Sequence, residues 1–404
     1  MAWTRPRADS LTIAALLTAL AAYGPLAVDV YLPSLPSIVA DYGTTEEKVQ
    51  LTLSLFFVGF ALGQLLHGPL SDRFGRRPVL IAGTATFILA SIMAALASSV
   101  DMLIVARFLQ ALGAASGSVL SRTVVRDVYG PERSARVMAY MAAAMGLAPS
   151  LGPMIGGQIE EFLGWRWNFA FVAAAAGLCL LAIISLLKET NPKFNPEAVN
   201  FGPMLRIFAR LAAEPAYLGH ALTLAFNFGG YFAFISASAF VFIEFLGLTP
   251  GVYGVCFGAA VLGGLSGNLT SGRLVRRVGS PRLVLWGGIA GAASGLAMAG
   301  LAWGGSTGVW QILIPMAVYT FGMGLIMPNT IAMAIAPWPH NAGAASSLLG
   351  FIQMVLSAAA GILVVWASDG TQLAMVTAIA IGGVGALLSH VWLGRRGRRP
   401  ATAQ

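Results

Sequence analysis

Residues 68–77 read G-P-L-S-D-R-F-G-R-R and separate two long apolar runs, residues 49–68 and 79–100. Each run has the roughly 20 mostly apolar residues that an α-helix needs to cross the hydrocarbon core of a bilayer. Gly68 and Gly75 lack a Cβ atom, so they are expected to allow a tight turn with positive φ. The pattern therefore predicts a short loop between two membrane spans.

The predicted loop is strongly charged. Its ionisable residues are Asp72, Arg73, Arg76 and Arg77. One interpretation is that the arginines only set the orientation of the chain in the membrane. The other interpretation follows from a resemblance, because G-x-L-x-D-R-x-G-R-R is similar to the signature loop between spans two and three of the major facilitator superfamily of secondary transporters. The resemblance implies that the loop takes part in conformational gating.

The composition is that of a membrane protein. The chain has 404 residues, of which 57% are hydrophobic and only 10% are charged, whereas soluble domains carry roughly 25% charged residues. Cys179 and Cys256 lie in separate apolar runs without CxxC spacing, and the four histidines show no ligand spacing. We therefore expect no disulfide, no metal site and no cofactor.

Apolar runs of similar length recur along the whole chain. Runs this long favour helices over buried strands, and a helix satisfies its own backbone hydrogen bonds in lipid. The sequence predicts an all-α membrane protein with twelve transmembrane helices, at about residues 11–31, 49–68, 79–100, 102–121, 137–157, 168–187, 217–242, 252–270, 283–303, 309–334, 343–366 and 373–393.

The basic residues lie almost entirely on one side of the predicted membrane. With twelve spans, 21 of the 24 Lys and Arg residues fall on the side that also holds both termini. The positive-inside rule assigns that side to the cytoplasm of a bacterial-type inner membrane. The formal charge of +8 is therefore a topology signal, and nucleic-acid binding is not expected.

The chain divides into two similar halves. Two Asn-Pro pairs indicate a loop between spans six and seven. The predicted domains are an N-terminal six-helix bundle at 1–187, a cytoplasmic linker at 188–215 and a C-terminal six-helix bundle at 216–404. The halves match at an offset of 204 residues, where Gly75 corresponds to Gly279. Arg276 stands at the position of Asp72, so a symmetric latch is not expected.

Two charged residues lie inside predicted spans and are the candidates for proton coupling. Asp29 lies in the outer third of span one, where an acid is costly to bury and is a functional candidate by default. The alternative is an acid that the membrane interface simply wets. Arg107 in span four must pair with a carboxylate, a carbonyl or water, and a purely structural arginine bound to carbonyls is the alternative there.

The segment around Arg107 resembles the superfamily's span-four motif R-x-x-Q-G-x-G. Arg107, Gln110 and Gly113 match the motif, and Ala111 replaces its first glycine. The resemblance links the arginine to proton coupling.

Span five contains G-L-A-P-S-L-G-P-M-I-G-G at residues 146–157. The run is similar to a motif of antiporter members of the superfamily. The prolines favour a kink and the glycines favour close helix contact, and a generic bent helix is the alternative. The candidate gating residues here are Gly146, Pro149, Gly152, Pro153, Gly156 and Gly157.

Three runs together resemble the Bcr/CflA-type drug-resistance exporters, which are twelve-span drug:H⁺ antiporters. These runs are L-P-S-L-P at 32–36, the charged loop with the residues before it, and V-R-D-V-Y-G at 125–130. The resemblance implies that Asp72 pairs within a cytoplasmic charge network. Arg122 and Arg126 are both candidate partners, and the sequence does not choose between them.

Aromatic and amide side chains are candidates for a substrate cavity. The predicted cavity residues are Tyr31, Gln110, Asn227, Tyr231 and Phe234. The last three share one face of a helix, although packing against lipid or neighbouring helices would explain the same pattern.

These observations predict a proton-coupled secondary transporter that exports small, largely apolar compounds by alternating access. The alternative is a proton-coupled importer of a small metabolite on the same fold. An enzyme is not expected, because the ionisable residues inside spans form no catalytic cluster. The expected partners are a small-molecule substrate, protons and the lipid bilayer, and the chain is expected to act as a monomer.

Overall fold

The computed structural model describes residues 11–129, 131–191, 194, 201–338 and 341–392. Within these ranges the regular structure is helical and no strand occurs, which confirms the predicted all-α class. The helices are α1 (Leu11–Asp29), α2 (Leu35–Tyr42), α3 (Glu46–Phe74), α4 (Arg76–Ala95), α5 (Val100–Val128), α6 (Pro131–Leu163), α7 (Trp165–Leu186), α8 (Phe201–Ala213), α9 (Pro215–Ala239), α10 (Pro250–Val278), α11 (Ser280–Trp303), α12 (Val309–Ile335), α13 (Ala342–Trp366) and α14 (Leu373–Trp392). A 3-10 turn at Leu32–Ser34 precedes α2, and a π-helical turn at Phe240–Phe245 follows α9.

Twelve of these helices, all except α2 and α8, coincide with the twelve predicted spans. Among the described residues, 11 candidate spans are long and apolar enough to cross a membrane. The remaining long helix, α6, has 33 residues, which exceeds the roughly 20 residues needed to cross the hydrocarbon core.

The chain forms two compact units, Met1–Asn200 and Phe201–Gln404. Inside the first unit α1 packs on α5 and α6, α3 packs on α5, and α4 packs on α5 and α7. Inside the second unit the corresponding helices make the same pairs: α9 packs on α12 and α13, α10 packs on α12, and α11 packs on α12 and α14. The repeat seen in the sequence is therefore also a repeat of helix packing.

Glycines allow the helices of the first unit to approach closely. A Cβ atom placed on Gly59 would lie 2.7 Å from the carbonyl oxygen of Phe108, and one placed on Gly63 would lie 2.5 Å from Ala115 Cβ. Both positions lie where α3 crosses α5. Small residues at helix crossings are how helices pack tightly in lipid, where the hydrophobic effect does not drive association between apolar helices.

The loop within the charged segment at residues 68–77 is shorter than the sequence predicts. Helix α3 continues to Phe74, so Gly68 is helical and the predicted positive φ at this position is wrong. Only Gly75 separates α3 from α4, with φ 101° and ψ 155°. The last turn of α3 is hydrogen-bonded up to this residue, since Gly75 N donates to the carbonyl oxygen of Ser71 at 3.0 Å.

The predicted linker also contains a helix. Residues 192, 193 and 195–200 lie outside the described part, as do residues 1–10 and 393–404 that hold the terminal arginines. Residues Phe201–Ala213 form α8, whose Leu211 is fully buried in the core of the second unit. The apolar residues recur at helical spacing on one face, and burying that face is a sufficient reason for the helix to form.

The two glycines of the charged segment should differ in their tolerance of a side chain. Alanine at Gly75 would require a backbone conformation that is nearly exclusive to glycine, with a cost of about 1–3 kcal/mol, and its Cβ would lie 2.6 Å from Glu189 Oε2. Gly68→Ala is the matched control, because nothing lies within 4 Å of a Cβ atom there. Thermal unfolding of the purified variants in detergent should show a lower midpoint for Gly75→Ala only. Equal midpoints would contradict the role given to Gly75.

Candidate functional site

Arg107 lies in the first third of α5 and is fully buried in the first unit. Its guanidinium carbon lies 4.3 Å from the ring centroid of Phe56 on α3, 4.6 Å from that of Tyr31 and 5.7 Å from that of Phe169 on α7. The negative faces of aromatic rings stabilise a cation in this position, and more strongly where water is absent. Three separate segments of the chain therefore surround one buried positive charge.

Polar groups complete the surroundings of Arg107. Its Nη1 atom donates to the carbonyl oxygen of Ala27 on α1 at 3.1 Å and to Gln110 Oε1. Gln110 Nε2 in turn donates to Ser91 Oγ on α4 at 2.7 Å, and Ser91 donates to a backbone carbonyl of its own helix. The Nε and Nη2 atoms of Arg107 have no hydrogen-bond partner among the described residues. Two nitrogen atoms of the buried guanidinium are thus left available as hydrogen-bond donors.

Asp29 is the last residue of α1 and is also buried, with 3% of its surface exposed. Its Oδ2 atom has no hydrogen-bond partner within the described ranges. The structure places no ion pair between Asp29 and Arg107, and the arginine instead uses the carbonyl oxygen of Ala27, two residues before the acid. A buried, unpaired carboxyl group is costly to keep charged, which suits a group that gains and loses a proton.

The glycines of α6 lie directly against the residues at and after Asp29. A Cβ atom on Gly152 would lie 2.5 Å from Asp29 Cβ, and one on Gly156 would overlap the carbonyl oxygen of Val30. Pro149 and Pro153 lie inside α6 beside these glycines. Within the run at 146–157, Gly152 and Gly156 therefore form the face of α6 that contacts the end of α1. The roles predicted for Gly146 and Gly157 stay predictions.

A second polar cluster lies at the end of the first unit that contains Gly75, which we call the motif end. Arg76 binds two carboxylates there: it pairs with Asp72 near the end of α3, and its Nε atom lies 3.1 Å from Asp127 Oδ2 on α5. Arg76 Nη1 also donates to Ser71 Oγ at 2.6 Å. In this structure Arg76 is thus the partner of Asp72, and not Arg122 or Arg126.

The other arginines near the motif end have different surroundings. Arg122 donates from Nε to the carbonyl oxygen of Ser118 on its own helix at 2.9 Å. The guanidinium carbon of Arg73 lies 5.1 Å from the ring centroid of Phe74. Arg126 is exposed in the last turn of α5. Their predicted roles in gating stay predictions.

Glu189, which follows α7, binds the start of α4 at the motif end. Its Oε1 atom accepts from the backbone N–H of Arg76 at 2.9 Å, and its Oε2 atom accepts from that of Arg77 at 3.1 Å. Nearby, Asn191 Nδ2 donates to the carbonyl oxygen of Asp72 at 3.1 Å. The first residues after α7 therefore satisfy the amides that begin α4 and a carbonyl that ends α3, as polar groups at helix termini require.

The surroundings of Glu189 change its acidity. Burial by itself raises the pKa of the carboxyl group, but hydrogen bonds from the backbone N–H groups of Asn191, Arg76, Arg77 and Thr190 outweigh that effect and hold the pKa below its ordinary value. The ionised form is consequently the one that the folded protein favours.

The predicted cavity residues are all buried. Tyr31 and Gln110 belong to the surroundings of Arg107, and the Tyr31 hydroxyl lies 2.8 Å from Thr52 Oγ1. On α9, the ring of Phe234 stacks on that of Phe257 with centroids 5.0 Å apart.

The other two α9 residues have polar or aromatic neighbours. The carbonyl oxygen of Asn227 accepts from Tyr319 Oη at 2.8 Å. The ring centroid of Tyr231 lies 5.7 Å from that of Phe228. Contact with a substrate stays a prediction for all five residues.

Two acids with defined partners were missed by the sequence analysis. Span five is predicted to end at about residue 157, whereas α6 continues to Leu163, so Glu160 lies within the helix. Glu189 lies in the predicted linker at 188–215, where the sequence does not indicate that it binds the start of α4. Glu160 lies eight residues after Gly152, which is a little over two helical turns, so extending the helical periodicity beyond the apolar run could have identified it.

The fold, the buried arginine and the charged motif end together are those of a secondary transporter of the major facilitator type. Residues 11–362 match the family model described as Major Facilitator Superfamily. The chain belongs to this superfamily, and it is an integral membrane transporter and not an enzyme.

Proteins similar to this chain agree with that class. Bacillus subtilis (strain 168) has an uncharacterized MFS-type transporter YdgK that is 33% identical over 353 residues, covering 86% of this chain and 87% of that protein. A bicyclomycin resistance protein homolog of Haemophilus influenzae is 29% identical over 374 residues, covering 92% and 93%. The crystal structure of a D-xylose-proton symporter matches with a TM-score of 0.76 at 15% identity, covering 95% and 96%, which shows the fold alone. The predicted resemblance to Bcr/CflA-type transporters is confirmed.

Alanine at Gly156 should disturb the contact between α1 and α6, because its Cβ would overlap the carbonyl oxygen of Val30. Overpacking of this kind costs about 1–3 kcal/mol, so we expect a lower thermal midpoint and reduced transport. Gly177→Ala on α7 is the control, since a Cβ atom there meets nothing within 4 Å. Thermal unfolding in detergent measures the difference, and identical midpoints would show that the helices separate without cost.

Glu189→Gln should remove a stabilising contribution that depends on pH. The folded protein lowers the pKa of this carboxyl group, so its contribution is present above the ordinary value of 4.5 and is lost as the pH falls through the lower folded-state value. Wild type should therefore unfold at a higher temperature than the variant at pH 7, and the two curves should converge only once the pH has fallen below the folded-state pKa of Glu189. A difference that is constant with pH would argue against the charged form as the stabilising one.

Proposed function

We propose that the chain is a proton-coupled exporter of small, largely apolar compounds, including antibiotics. The single observation that carries this proposal is the position of Asp29, which is buried, has an unpartnered oxygen, and contacts the glycine run of α6 at the residue after which α1 ends. A proton-dependent change at Asp29 would act directly on the contact between α1 and α6. The relative named as a bicyclomycin resistance protein homolog supports the substrate class.

Proton binding at Asp29 removes a charge from an apolar interior and favours substrate release with return of the transporter. Loss of the proton restores the charge and favours substrate loading on the cytoplasmic side. Each proton that moves inward supplies roughly 2.3 kcal/mol per 100 mV of membrane potential. This work drives alternating access of the two units.

Arg107 responds to the charge of Asp29 through the end of α1, which carries Asp29 and which Arg107 contacts. The arginine binds the carbonyl oxygen of Ala27, and the unused Nε and Nη2 donors leave it able to take a second partner when the carboxyl group changes its charge. The rings and Gln110 hold the guanidinium in place during that exchange.

Export, as opposed to uptake, is supported by the span-five run. Its glycines form a close contact with the acid that carries the proton, which is consistent with the resemblance of this run to the antiporter motif. At the motif end we propose that the contacts of Asp72, Arg76, Asp127 and Glu189 stabilise one of the alternating states.

We further propose that the protein acts as a monomer in the bacterial inner membrane, with both termini in the cytoplasm. The distribution of basic residues supports this orientation. The two cations on the predicted outer side are both paired with acids, Lys48 with Asp101 at 2.9 Å and Arg166 with Asp41 at 2.8 Å.

The proposal predicts that a transported compound releases protons from acidified everted vesicles. Adding each of a panel of antibiotics and dyes to vesicles with wild-type protein should trigger release for at least one compound, and Asp29→Asn should abolish it because the amide cannot carry a proton. A pH-sensitive dye in the lumen measures the response.

Asp101→Asn is the matched control, because this acid is exposed and paired on the surface and should leave the response intact. Normal coupling in Asp29→Asn would reject Asp29 as the proton site. If no drug gives a response but a nutrient moves protons in the direction expected of uptake, the protein is an importer instead.

A further inference from the structure

Glu160 lies on α6 two helical turns beyond Gly152 and is 9% exposed. Eight residues of α-helix span about 12 Å, so Glu160 lies nearer the end of the first unit that is opposite the motif end. By the proposed orientation this is the outer side. The carboxyl group is thus placed between outer water and Asp29, in the same contact between α6 and the end of α1.

The carboxyl group of Glu160 is held by a short chain of hydrogen bonds. Its Oε2 atom accepts from Ser34 Oγ at 2.6 Å. Ser34 Oγ itself accepts from Asn168 Nδ2 on α7 at 2.8 Å, and the same amide nitrogen also donates to the carbonyl oxygen of Gly156 at 3.3 Å. Each donor in this series of hydrogen bonds points towards the carboxylate. The series begins at Asn168, which also binds the backbone of Gly156, and Gly156 contacts Val30, the residue after Asp29.

Tyr31 connects the surroundings of Glu160 with those of Arg107. The guanidinium carbon of Arg107 lies 4.6 Å from the centroid of its ring. The backbone carbonyl oxygen of Tyr31 accepts from the N–H of Ser34 at 3.0 Å, and Ser34 is the residue whose hydroxyl donates to Glu160. A change of charge on Glu160 can therefore alter the surroundings of Asp29 and Arg107 through the segment from Tyr31 to Ser34.

The other charged or titratable groups near this network are already engaged or lie deeper. On the elements that pack against α6, they are Asp29 on α1, Tyr31 after it, Asp101 and Arg107 on α5 and Arg166 on α7, with Glu161 on α6 itself. Asp41 and Tyr42 lie on the neighbouring α2. Asp101 forms an ion pair with Lys48, and the Tyr42 hydroxyl donates to the carbonyl oxygen of Ala97. Asp41 and Arg166 form an ion pair with each other. Among these acids Asp29 and Glu160 are buried, and Glu160 is the one that lies nearer the outer side.

We propose that Glu160 is a second proton-binding group that loads Asp29 from the outer side. A proton from outer water binds the Glu160 carboxylate, passes to the Asp29 carboxylate, and leaves Glu160 ionised for the next cycle. Water carries the proton over the distance between the two groups. This inference rests on the proposed proton-coupled export.

The test is the dependence of transport on lumenal pH in everted vesicles, whose lumen corresponds to the outer side. Glu160→Gln keeps an oxygen that can accept from Ser34 but cannot carry a proton. When the lumen is acidic, loading of Asp29 is not limiting and the variant should match wild type. As the lumenal pH rises, the transport rate of the variant should fall before that of wild type. The pH at which the rate is half maximal should be lower in the variant by about one pH unit, a tenfold change in proton concentration.

Two further variants separate proton loading from packing. Glu161→Gln changes the adjacent exposed acid and should follow the wild-type pH profile. Glu160→Asp keeps a titrating carboxyl group and should restore most of the profile that Glu160→Gln loses. A thermal midpoint for each purified variant shows that it is folded.

The outcomes are distinguishable. A Glu160→Gln profile identical to wild type, or one reduced by the same factor at every lumenal pH, would overturn the role of Glu160 while leaving proton-coupled export intact. If wild type itself shows no proton movement triggered by any compound, the proposed function fails and this inference fails with it. Asp29→Asn should be silent at every lumenal pH.

Discussion

The burial of one positive charge, that of Arg107, constrains the whole N-terminal unit. A guanidinium without water must be stabilised by groups that the protein itself brings together. Here these groups come from four other helices and the turn after α1: a carbonyl of α1, a ring of α3, the Ser91–Gln110 hydrogen bond that reaches α4, a ring of α7 and the ring of Tyr31. Each helix must therefore be held at a defined distance from α5, which the small residues at the crossings permit.

The same close packing gives Asp29 its properties. Glycines on α6 allow the backbone of that helix to reach the end of α1, so the acid is enclosed without an ion pair and a change in its charge cannot be absorbed by solvent. Side chains at those glycine positions would separate the helices and admit water or lipid. The close approach of α6 to α1 is thus also the reason that a charge on Asp29 is costly.

The motif end works by a different kind of chemistry, since its groups are partly exposed. Arg76 binds two carboxylates, and Glu189 accepts from the first amides of α4. The Asp72 side chain is 47% exposed, whereas those of Arg76 and Asp127 are 11% and 17% exposed. Salt and water therefore screen the Asp72 contact more than the Asp127 contact. The second unit has Gly279 at φ 82° in the corresponding turn but Arg276 in place of the acid, so the two units repeat a backbone shape without repeating its charges.

The sequence alone determined the class of fold, the twelve long helices, the internal repeat and the candidate residues Asp29 and Arg107. These follow from local properties: the length of apolar runs, the side on which basic residues fall, and the cost of a charge inside a span. Tertiary structure decided which groups meet. Arg107 binds a carbonyl and aromatic rings instead of Asp29, Asp72 binds Arg76, and Glu160 and Glu189 acquire partners far away in the chain. Those partners depend on distances between helices, which the sequence of any one helix does not contain.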